Sequence, residues 1–269
     1  MMRSLLLKTI YDKRWFILGW SIGMALLCWL TILFYPALQE GDTLSKLSDE
    51  LPENLGAIKG LIGDEDGFRT LGGYIATQLY DIRLSIFMMI TSLMLALSLG
   101  STDEERGRLR TILATPMSRS RIILEHWIAS SVILSLTIVG TLIGVLIGII
   151  GIGEDIPWKL LLQLSAMGIL FTVTSFTITY AVAIGLGKRS LATLLGVGLA
   201  SVSFILSTFG PMVSWLKDWQ PLSLLYYFSP KTIFHDGINW WHVAALLSLL
   251  AIFYLGATLG FRRRDVNGG

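Results

Sequence analysis

Six stretches of this sequence run the length of a bilayer crossing without a single Asp, Glu, Lys or Arg: 15–35, 84–102, 127–153, 160–187, 191–216 and 243–261. About 20 apolar residues in a helix cross roughly 30 Å of hydrocarbon. Each stretch therefore reads as a transmembrane helix, the shorter ones partly interfacial. Composition supports this, because only 15% of the 269 residues are charged and mean hydropathy is +0.66. A soluble domain carries roughly a quarter charged residues, so a soluble enzyme, a disulfide scaffold and a disordered tail are excluded. The first stretch is too long for a cleavable signal peptide and no small-residue cleavage site follows it. Cys28, the single cysteine, lies inside that stretch and has no intrachain partner.

Orientation follows from the cations, which gather on the cytoplasmic side of membrane proteins. With the N-terminus, the second and fourth connections and the C-terminus on one side, that side holds 14 Lys/Arg and carries +8. The other side carries −6. Both termini are expected in the cytoplasm. Residues 1–14 precede the first span, and Leu6, Leu7, Ile10 and Tyr11 share a helical face with Lys8, Asp12, Lys13 and Arg14 mostly opposite. That pattern predicts an amphipathic interfacial (elbow) helix; a plain charged lead-in is the alternative.

The external segment 36–81 is acidic, with Asp64, Glu65 and Asp66 clustered. Carboxylates suit a hard cation, but no further ligands stand at loop-like spacing, which favours a solvated loop. The segment before the last span is aromatic, and short interfacial helices broken at Pro221 and Pro230 are expected there. His235 and His242 lack a third ligand at metal-site spacing, so no metal is expected. Intramembrane proton or ion movement needs ionisable groups in the spans, and the apolar runs hold none. No catalytic set stands out, and Gly185-Leu186-Gly187-Lys188-Arg189 fails the phosphate-loop pattern, with Val182 in place of the first glycine. The chain is expected to be no enzyme and to bind no cofactor.

Small and hydroxyl residues recur in register within the spans. Gly140, Gly144 and Gly148 make a doubled GxxxG face in the third, and Gly196, Ala200, Ser203, Ser207 and Gly210 a stripe in the fifth. In the fourth, Ser165, Gly168, Thr172, Ser175 and Thr179 align. Close helix packing explains all three. A second reading has Thr172, Ser175, Thr179, Ser203 and Ser207 bordering a path for an amphipathic substrate.

The connection 103–121 is the most informative. Leu109, Ile112 and Leu113 form an apolar patch on a short helix that stops before Pro116, ringed by Arg106, Arg108, Arg110 and Arg119. An apolar patch with a basic rim suits docking to another protein. An ordinary basic loop on anionic lipid accounts for the arginines but not for the patch.

In these residues the chain resembles the ABC-2 type transporter permease family. Glu105-Arg106-Gly107, Leu109, Leu113, Pro116 and Ser118-Arg119 follow the family pattern in order, and Phe261-Arg262-Arg263-Arg264-Asp265-Val266 is similar to its Arg-Asp ending. Leu51-Pro52-Glu53 and Gly72-Gly73-Tyr74 look like the permeases associated with drug or antibiotic export. The chain departs at Leu124-Glu125-His126, where many members have Gly-Lys. The resemblance implies a single transmembrane domain over 1–269, with Arg106–Thr115 as a coupling helix in the groove of a cytosolic ATPase. It implies two ATPase subunits holding ATP and Mg, a second permease subunit (identical or paralogous), and a prokaryotic cell membrane. Uncharged spans suit lipophilic or amphipathic cargo. A membrane anchor or sensor that docks a cytoplasmic partner without transport is the competing reading; a neighbouring ATPase gene would discriminate.

Overall fold

The computed structural model describes residues 5–40, 70–102, 118–155, 157–187, 189–210 and 213–263. All regular structure among these residues is helical, with no strand among them. A short α1 (Leu5–Asp12) leads into α2 (Arg14–Leu33), followed by α3 (Tyr35–Glu40). The second crossing consists of α4 (Leu71–Tyr74), wide π-type turns over Ile75–Leu84, α5 (Ser85–Leu97) and further wide turns over Ser98–Thr102. Then come α6 (Arg119–Ile152), α7 (Trp158–Leu186) and α8 (Arg189–Phe209). Short helices α9 (Ser214–Lys217), α10 (Leu224–Tyr227) and α11 (Pro230–Asp236) precede α12 (Trp240–Arg263). α2, α6, α7, α8 and α12, with the second crossing taken as one continuous helix, make six spans long and apolar enough to cross a membrane, so the chain is a multi-pass membrane protein.

Helix stops are written locally. Gly153 (φ 73°) and Gly187 (φ 62°) end α6 and α7 in the left-handed conformation, which glycine adopts without steric cost. Gly187, part of the failed phosphate-loop pattern, is thus a helix terminator. Pro221 lies in a 3₁₀ turn, and Pro230 opens α11 at its first turn, where its missing N–H is harmless.

The second crossing departs from the sequence reading. Its helix begins at Leu71 rather than residue 84, so residues 71–81, assigned to the external segment, belong to the span. Thr70 caps it, its hydroxyl accepting the Gly73 N–H at 3.1 Å. Polar residues from Thr77 to Arg83 break the apolar run, yet Tyr74, Ile75, Leu79, Tyr80 and Leu84 are all buried in the core. Burial of one face holds the helix where hydropathy does not announce it. Asp81 and Arg83 therefore lie inside a membrane helix, contrary to the expectation of uncharged spans. Asp81 pairs with Lys231 of α11 at 3.6 Å, and Arg83 donates to the Gln78 carbonyl.

Packing centres on α7, the most buried crossing; α2, α8 and α12 expose most of their apolar surface. α2 lies along α6 in the most extensive helix pair of the fold, and α7 packs on α5 and α12. The aromatic segment is more than interfacial: Leu224, Leu225, Phe228 and Ile233 enter the core, with Phe228 stacked on Phe171 at 5.0 Å.

Candidate functional site

The end of the bundle that carries the arginine-rich connection is the candidate site. Residues 103–117 of that connection, with Glu105, Arg106, Gly107, Arg108, Leu109, Arg110, Ile112, Leu113 and Pro116, lie outside the described residues. The structure describes what frames them. With 34 residues α6 is roughly 50 Å long at 1.5 Å per residue, so its first turns extend past the hydrocarbon. Those turns carry Arg119, Arg121, Glu125 and His126.

Glu125 joins two elements. One carboxylate oxygen accepts the Leu6 N–H, in the first turn of α1, at 3.1 Å, and the other accepts Arg121 Nε at 2.9 Å. The first N–H groups of a helix have no intrahelical acceptor, so Glu125 caps α1 from a helix more than a hundred residues away. Lys13, between α1 and α2, donates to the Ser98 hydroxyl at the start of the wide turns that lead into the connection. Where the connection returns, Ser118 caps α6, and Arg119 donates to the carbonyls of Phe261 (3.2 Å) and Arg262 (3.5 Å) near the end of α12. A guanidinium there also complements the negative end of the helix dipole. Deeper in, His126 Nδ1 and the Tyr180 hydroxyl are 3.2 Å apart, and Trp127 Nε1 donates to Thr177 at 2.9 Å. The two ends of the connection are thereby tied to α1, α6, α7 and α12.

The α1 surface differs from the predicted apolar face. Thr9 is buried and Ile10 packs inward, while Leu7 and Tyr11 stay exposed. Sequence reading missed Glu125 as a clamp, because a glutamate at a membrane boundary carries no signal of which distant N–H it meets. Glu125→Ala is expected to cost about 1–2 kcal/mol through the lost cap. Glu125→Gln should recover part of it, since the amide oxygen still accepts the Leu6 N–H. Thermal unfolding in nanodiscs measures both, and equal melting of the alanine variant and wild type would remove the clamp from the account.

The glycine stripe of α6 faces α2. A Cβ on Gly140 would lie 2.5 Å from Ser21 Cβ, on Gly144 2.4 Å from the Ala25 Cα, and on Gly148 2.9 Å from Ile32 Cβ. On α8, Gly196 lies against Leu93 and Thr179 and Ala200 is half-buried on the core, while Gly210, just past its end, lies against Leu206 and Gln220.

The hydroxyls considered as a substrate path are mostly sealed within the chain. Thr172 donates to the Gly168 carbonyl (2.6 Å), Ser92 of α5 donates to Ser175 (2.8 Å), and Thr179 donates to the Ser175 carbonyl (3.1 Å). Ser203 is buried and accepts the Leu224 N–H at 3.1 Å, fastening α10 to α8. Ser207 alone of the five is half-exposed. The hydroxyls of Tyr80 and Ser165 are buried without a hydrogen-bond partner among the described residues. An open groove of about 460 Å³ lies elsewhere, between α2 and α5, floored by Gly19 and Gly23 and walled by Trp15, Trp20, Leu27 and Phe87. It is uncharged and suits an apolar body.

The described residues thus form a helical bundle with six helices fit to cross a membrane. The ABC-2 family transporter protein profile matches residues 21–266, and the chain belongs to that family. No curated protein matches the chain. Membership makes it the membrane subunit of an ABC transporter, a class that is generally non-catalytic and works with an ATPase partner.

Proposed function

We propose that this subunit exports a lipophilic or amphipathic compound across the cytoplasmic membrane of a prokaryotic cell, with both termini inside. Two copies of a separate ATPase and a second permease subunit complete the assembly, and ATP and Mg bind on the ATPase. The observation that carries this reading is the clamping of both ends of the 103–117 connection. Lys13 holds Ser98 on the entering side, and Arg119 and Glu125 hold α12 and α1 on the returning side. A displacement imposed on the connection by ATP-driven closure of its partner passes directly to α1, α6 and α12. That gives a two-state element biased by nucleotide, which coupling requires.

Cargo enters through the apolar groove between α2 and α5 rather than along the hydroxyl stripes, which serve as seams between helices. α1 rests in the headgroup layer with Leu7 and Tyr11 toward lipid. Purified alone in liposomes the chain is expected to move no solute with or without ATP, and to transport once the ATPase is added. Unaided transport would overturn the assignment.

A further inference from the structure

At the opposite end of the bundle, the start of α7 and the end of α11 enclose a cleft of about 640 Å³. Its floor is apolar and tight: a Cβ on Gly72 would lie 3.2 Å from both Leu160 and Phe234. Its rim is polar, with Lys159 and Gln163 from α7 and His235 and Asp236 from α11. Gly237 ends α11 at φ 82°, a conformation that excludes a side chain, and a Cβ there would lie 3.6 Å from Gln163 Nε2. Lys159 and Asp236 carry opposite charges, line the same cleft and form no ion pair with each other or with any described residue. Gln163 makes no hydrogen bond with any described residue. Trp158, Trp240 and Trp241 are highly exposed at the same end, the placement that tryptophan takes in the headgroup layer.

We propose that this cleft binds the phosphate–ammonium headgroup of a zwitterionic phospholipid. The phosphate lies against Lys159, the primary ammonium against Asp236, and Gln163 hydrogen-bonds the ester region, while the first acyl carbons lie over Leu160 and Phe234. A cation and an anion on one rim above an apolar floor are the complement of such a ligand. An anionic headgroup without the ammonium satisfies Lys159 and is repelled by Asp236. A bound lipid braces α7 against α11, which in turn holds the second crossing through the Lys231–Asp81 pair. The inference rests on the multi-pass reading and is independent of cargo, direction and ATPase partner.

The test is native mass spectrometry of the full chain released from nanodiscs holding equal phosphatidylethanolamine and phosphatidylglycerol. Wild type is expected to retain phosphatidylethanolamine over phosphatidylglycerol by about tenfold, and Lys159→Gln or Asp236→Asn to reduce that preference about fivefold, the size of one partly exposed charge contact. Asp218→Asn, an exposed acid outside the cleft, should behave as wild type. Equal retention of the two lipids, or an unchanged preference in both cleft variants with wild-type melting, would overturn the proposal. Displacement of the lipid by soluble O-phosphoethanolamine at equal concentration would assign the cleft to a free zwitterion and overturn the lipid assignment.

Discussion

Leu113→Asp is expected to abolish ATP-driven transport and co-purification with the ATPase while the six crossings still insert. In the proposed dock, Leu109, Ile112 and Leu113 supply the apolar centre and the arginines of the connection its rim. A carboxylate placed in the centre of a docked interface is desolvated without a partner. That costs about 3–5 kcal/mol, or more than 100-fold in affinity. Leu109→Asp should do the same, whereas Arg110→Ala, on the rim, should weaken binding only about fivefold and chiefly at low salt. Pull-down of the tagged chain from membranes reads assembly, and vesicle transport reads coupling. Wild-type behaviour of either aspartate variant would remove the connection as the dock.

Gly144→Val should unfasten the bundle. The first atom of the new side chain would stand 2.4 Å from the Cα and carbonyl oxygen of Ala25, which are backbone and have no rotamer to escape into. α2 and α6 must part by more than 1 Å along the largest helix contact of the fold. Over-packing of this kind costs about 3 kcal/mol, and helix association in lipid depends on that close contact. Gly23→Val provides the control, because nothing lies within 4 Å of a Cβ built there. Differential scanning fluorimetry in nanodiscs should show a drop of several degrees for the first and almost none for the second. Equal shifts would mean that the α2–α6 seam is not where the structure has it.

These two glycines show how far local reading carries. Gly19 and Gly23 in α2 have the same four-residue spacing as Gly140 and Gly144 in α6, yet one pair floors an open groove and the other is pressed against a neighbour. The hydroxyls of the fourth and fifth spans were likewise compatible with a path or a seam. The hydrogen bonds of Ser175 to Ser92 and of Ser203 to Leu224 favour the seam. The start of the second crossing is hidden from hydropathy, which scores each residue as if it faced lipid. Asp81 pairs instead with Lys231, and Tyr80 turns into the core. Glu125 gave no sign of its partner, since Leu6 is 119 positions away.

The six crossings and the charge asymmetry were legible from the chain alone. Transfer out of water and backbone conformation are properties of short segments, and each residue contributes to them wherever its neighbours lie. Which face of a helix meets which, where the second crossing begins and what clamps the connection depended on contacts between distant segments. Such contacts are settled by the fit of two surfaces, and one-dimensional order holds only half of each.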